Sequence, residues 1–104
     1  MRNASDLESV KREQERIKRK REIEIGDIRH ILSSAEGRRF YWRLLEASKL
    51  FGNVMTGNSW TFFHAGEQNI GKMFFADLME AEPDAFAIMQ REHQNKKQEE
   101  ENHG

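Results

Sequence analysis

All ten aromatic residues of this 104-residue chain fall between Phe40 and Phe86, and the first 26 and last 18 residues contain none. Large apolar side chains offset the entropy lost on folding, so the middle of the chain can build a core and the ends cannot. The expected organisation is a charged helical arm over 1–26, a helical core domain over 27–93 and a polar tail over 94–104 that is either a frayed helical extension or disordered. A domain of that size buries only about 60% of the surface its unfolded chain exposes. Its stability should therefore be marginal without partners.

Charged residues make up 34% of the chain, yet the net charge is −1. Charge is thus local information, with no overall attraction to a polyanion. The absence of cysteine excludes disulfide stapling and thiolate metal sites and fits synthesis in a reducing compartment. The N-terminus lacks the apolar stretch of a signal peptide, and no run approaches the ~18 apolar residues that span a bilayer. A soluble chain is expected.

Good helix formers dominate Ser5 to Ile25, with Glu8/Arg12 and Glu15/Arg19 spaced for i,i+4 pairing. Leu7, Val10 and Ile17 lie along a heptad seam that Gln14 and Arg21 interrupt, which favours a solvated helix over a strong coiled coil. Gly26-Asp27 is expected to break this helix, with Asp27 capping a short one that contains Ile28, Ile31 and Leu32. From Gly37 to Phe51 the periodicity is strongest, placing Phe40, Tyr41, Leu44, Leu45, Ala47, Ser48 and Phe51 on one arc. Trp42 and Leu50 sit among charges on the opposite side, either as a contact surface or as ordinary partial burial. Gly52 suits the position just past that helix, and an aromatic loop to Ala65 should fold back through Trp60, Phe62 and Phe63 to cap the core. A third helix from about Gly66 to Ala81 would turn Ile70, Phe74, Phe75 and Leu78 inward, with Gly71 permitting close helix contact. Pro83 then opens a fourth helix carrying Ala85, Phe86, Ile88 and Met89. The fold class is all-α, a bundle of three to four helices.

Catalytic signals are weak. Gly66 to Lys72 matches the GxxxxGK portion of a phosphate-binding loop, but Met73 stands where a hydroxyl would hold magnesium and no parallel strand precedes it. His30, His64, His93 and His103 have no ligating i,i+4 spacing. Spacing alone does not put Ser59, Thr61 and His64 into a nucleophilic arrangement. No catalytic residue, metal or cofactor is expected. Two basic features could meet a partner: Lys18-Arg19-Lys20-Arg21 on the arm, as a nucleic-acid contact, and Arg38, Arg39 and Arg43 around Trp42, as a protein contact. Glu13, Glu15, Glu22 and Glu24 surround the first run, so much of its field meets neighbours, and no aromatic interleaves with it for base stacking.

The order Gly37-Arg38-Arg39-Phe40, Trp42-Arg43-Leu44-Leu45, Phe51, Trp60-Thr61-Phe62-Phe63-His64-Ala65-Gly66 and Asn69-Ile70-Gly71 resembles the Bbp-nineteen-like phage domain family over about Asp27 to Glu92. Gln68 stands where that pattern is often basic. The resemblance implies a small tailed-phage structural protein without catalytic residues, made in the host cytoplasm and placed in the virion or its assembly. Its partners would be other phage structural proteins; apart from the resemblance, a helical adaptor that dimerises through its N-terminal arm is a further possibility. The alternative is an intracellular nucleic-acid-binding or host-takeover protein that stays in the host cytoplasm and acts through the basic arm.

Overall fold

The computed structural model describes residues 3–52 and 60–103, with side chains left out of the description at 60–63 and 103. It contains four helices: α1 (Ala4–Leu32), α2 (Ala35–Ala47), α3 (Trp60–Ala81) and α4 (Ala85–His103), and no strand among the described residues. The protein is an all-α helical bundle.

Asn3 caps the start of α1 by accepting from the Asp6 amide at 2.9 Å, and the helix then runs unbroken through Gly26 to Leu32. The expected break at Gly26-Asp27 does not occur. One mid-helix glycine costs about 1 kcal/mol relative to alanine, and contacts on both sides of it outweigh that cost. On the N-terminal side Arg21 reaches Asp77 at 2.6 Å and Glu80 at 2.7 Å; on the other, Arg29 Nε donates to the Ala81 carbonyl at 2.9 Å. Both join α1 to α3. The two expected i,i+4 pairs of the arm do not form; Glu13 instead binds Arg16, three residues on, at 2.6 Å.

Ser34 begins α2 by accepting from the Gly37 amide at 3.0 Å. The helix ends at Ala47, short of the expected boundary at Gly52. The left-handed residue that closes it is Lys49, at φ 64°, and the Leu50 and Lys49 amides bond back to the Leu45 and Glu46 carbonyls. This is the Schellman pattern with lysine in the position that favours glycine. Gln68 holds the turn from α3, its amide nitrogen donating to the Lys49 carbonyl at 3.0 Å and the Gly52 carbonyl at 3.2 Å.

Helix α3 starts at Trp60 and not at Gly66, so the last part of the expected aromatic loop is helical. Residues 53–59 and the Trp60, Phe62 and Phe63 side chains lie outside the described residues, and with them the expected capping of the core. At the other end Pro83 sits in the turn before α4. Of the two expectations for the polar segment, a helical extension or disorder, the helical one holds, and the segment continues α4 to His103.

The core is small. Leu32, Tyr41, Leu45, Leu78, Ala85 and Met89 are buried together, with Ile28, Trp42, Leu50, Phe74, Phe75 and Phe86 packed against them. The buried stripe of α2 is therefore Tyr41, Leu45 and Ser48, spaced i, i+4, i+7, while Phe40 and Phe51 of the expected arc are 64% and 51% exposed. Ile70, expected inward on α3, is also exposed. A chain this size fills only one stripe per helix, and the aromatics left over go to the surface. Gly71 faces Ser48 where α2 and α3 meet, and a methyl group there would collide with that side chain. The Tyr41 hydroxyl donates to the Phe74 carbonyl across the same contact.

Candidate docking cleft

Helices α2 and α4 pack through a layered aromatic contact whose centre is Trp42. Its ring stacks on His93 at 4.9 Å, Phe51 at 5.2 Å and Phe86 at 5.9 Å between centroids. Phe75 meets Phe86 edge-on at 5.0 Å from behind. Arg38 fastens the same junction: its Nε lies 2.6 Å from Glu92 on α4, and another guanidinium nitrogen donates to the Leu32 carbonyl at the end of α1 at 2.9 Å. One side chain thus ties three helices together.

Beyond this junction, α2 and α4 border an open groove of about 1240 Å³. Phe40 and Trp42 supply apolar surface, Arg39, Arg43 and Glu46 belong to the α2 wall, and His93, Lys96, Lys97, Glu99 and Glu100 to the α4 wall. None of its lining comes from α1. The groove therefore combines exposed aromatic surface with cations and carboxylates on both walls. Arg39 makes a loose contact with Glu36 at 3.8 Å, and Arg43 has no ion pair among the described residues. The indole Nε1 of Trp42 is enclosed and has no hydrogen-bond partner among the described residues.

The structure divides the sequence-selected residues by what they do. Arg38 is committed inside the fold, Trp42 serves both the aromatic junction and the groove, and Arg39, loosely held by Glu36, and Arg43 line the groove. On the arm, Arg21 is held by Asp77 and Glu80, which raise its pKa by accepting hydrogen bonds from the guanidinium. Lys18, Arg19 and Lys20 remain exposed and without ion pairs among the described residues. The basic run is therefore three free cations and one structural one.

Sequence reasoning missed the α4 wall. Residues from Asn95 to Glu100 belong to the polar tail, for which a frayed helical extension is one of the two expectations, and their run of Gln, Lys and Glu is a helix-forming signal. Only the packing of α4 against Trp42 brings that run opposite Arg39 and Arg43.

The remaining candidates are local. The Gly66 to Lys72 stretch lies inside α3, where backbone amides are spent on the helix and do not form a phosphate cradle. His64 Nδ1 sits 2.8 Å from Glu67, a contact within one helical turn. Ser59 and the Thr61 side chain lie outside the described residues. Among the described residues no group of three or more His, Asp or Glu side chains gathers to hold a metal ion, and no helix is long and apolar enough to cross a membrane.

Comparison with family models, with curated proteins and with solved structures finds no match to this chain.

Proposed function

We propose that this protein is a non-enzymatic docking component of a bacteriophage particle or of its assembly, and that the α2–α4 groove receives a partner helix. The observation that carries the docking reading is the groove itself. Two helices with aromatic surface between charged walls suit the apolar face of a third helix, with the rim charges selecting its flanks. What supports the phage setting is the ordered motif resemblance over Asp27 to Glu92, which covers α2, α3 and the first part of α4.

Proteomics of purified virions with amine crosslinking tests both parts. The chain should be present, with crosslinks from Lys96 or Lys97 to one neighbouring phage protein. Repeated absence from clean particles and from assembly intermediates would overturn the phage role. Crosslinks confined to the opposite face would overturn the groove as the docking site.

One observation favours a second reading, in which the arm contacts nucleic acid and the protein stays in the host cytoplasm. Lys18, Arg19 and Lys20 project from α1 free of partners among the described residues. Three phosphate contacts predict a log–log salt slope of about −2.7 for duplex DNA, since each contributes about −0.9. Arg21 should not add a fourth. Binding with no salt slope, or one unaffected by Lys18→Glu, would sink this reading.

A further inference from the structure

Residues 4–18 of α1 form a helical arm that contributes no residue to the buried core and meets α3 only where Gln14, Ile17 and Lys18 border a shallow surface beside Glu80, yet its surface is not uniformly polar. Leu7 and Ile17 are 52% and 56% exposed, and with Val10 and Gln14 they form one stripe at heptad spacing. Helical geometry places Asp6 and Glu13 along one shoulder of that stripe and Lys11 and Lys18 along the other. The arm continues the unbroken helix that ends at Leu32, and none of that helix lines its own groove. An isolated helix of this length is marginal in water.

The groove has the complementary features. Its α2 wall offers Arg39 and Arg43, and its α4 wall ends in Glu99 and Glu100 beyond Lys96 and Lys97. From Met89 to Glu100 the α4 wall is about 16 Å long at 1.5 Å per residue, and the stripe from Leu7 to Ile17 is about 15 Å. Lengths and apolar surfaces match, Arg39 and Arg43 of the α2 wall are opposite in sign to the acidic shoulder, and the α4 wall offers Glu99 and Glu100 to the basic one beside its own lysines.

We propose that the groove of one copy receives the α1 arm of a second copy, in a reciprocal exchange that makes a two-fold dimer. The acidic shoulder of the arm lies against Arg39 and Arg43, and the basic shoulder against Glu99 and Glu100. Reciprocity doubles a contact that is small when made once, which stable association requires. This inference rests on reading the groove as a helix-binding site and identifies the helix.

Sedimentation equilibrium of the full-length chain tests it, together with amine crosslinking of a mixture of isotopically light and heavy protein. The expected result is a reversible dimer with light-to-heavy crosslinks from Lys11 or Lys18 to Lys96 or Lys97. Ile17→Asp should give monomer with unchanged circular dichroism, because Ile17 belongs to no core contact. Arg43→Glu should weaken the dimer about tenfold, and adding Glu13→Arg should recover most of that loss. A monomer at every concentration overturns the proposal. So does a dimer indifferent to Ile17→Asp and Arg43→Glu, or one whose inter-copy crosslinks avoid the α4 wall. A monomer that still crosslinks to another phage protein through Lys96 or Lys97 defeats self-docking and leaves the proposed function standing.

Discussion

Tyr41 is the single tyrosine of the chain, and burial, reinforced by the negative charge of Asp77, pushes its phenol up to about 12. The folded state therefore holds this proton more tightly than the unfolded chain, whose tyrosine ionises near pH ~10. That contribution to stability is complete below about pH 10 and is lost as pH rises towards 12. Urea midpoints should fall across this window, in step with the appearance of tyrosinate absorbance. Tyr41→Phe should flatten the fall while costing about 1 kcal/mol at neutral pH for the lost hydrogen bond. Lys49 gives a second test at this scale, because an L-residue at φ 64° carries a backbone penalty that glycine avoids. Lys49→Gly should stabilise the fold by about 0.5–1 kcal/mol in chemical denaturation. Neither feature was legible in advance. Burial of the Tyr41 hydroxyl depends on where α3 lies, and Gly52 offered a more conventional helix end than Lys49.

At the scale of the elements, two of the helical glycines, Gly26 and Gly71, separate local propensity from packing. No atom outside the local helix lies within 4 Å of a Cβ built at Gly26, so Gly26→Ala should stabilise α1 by about 1 kcal/mol, measured as a raised melting temperature. At Gly71 the same change drives a methyl group into Ser48 and should cost about 1–3 kcal/mol. The close approach expected at Gly71 was visible because that glycine falls on the apolar side of a helical pattern. The break expected at Gly26 was not what folding produced. Helix propensity registers the glycine but not Arg21 gripping Asp77 and Glu80, which ties α1 to α3 just before it. The rotation of α2 has a related cause: Phe40 and Tyr41 are adjacent aromatics of similar promise, and only Tyr41 has Phe74 to meet.

Across the whole molecule, the dimensions are 70 × 39 × 15 Å and the radius of gyration is 19.3 Å, where a compact chain of this length has about 13 Å. Fifteen ångströms admits no more than two helices, at interaxial spacings of about 8–10 Å, so much apolar surface has nothing behind it. Such a shape depends on a few joints. Arg38 is one, linking the end of α1 to α2 and α4. Arg38→Ala should cost about 1.5–3 kcal/mol through its charge-assisted hydrogen bonds, whereas the exposed Arg39→Ala should stay within about 0.5 kcal/mol. Urea unfolding of the two variants reads the difference directly. By itself the amino-acid sequence determined the all-helical class, the aromatic middle between charged ends and the amphipathic character of α2, because these follow from composition and period along a single strand of text. Tertiary structure decided which aromatics are buried, which arginines are tied down, and that α4 forms the second wall of a groove. Those outcomes depend on side chains more than fifty residues apart meeting in space, as Arg38 does with Glu92, and local pattern contains no measure of that distance.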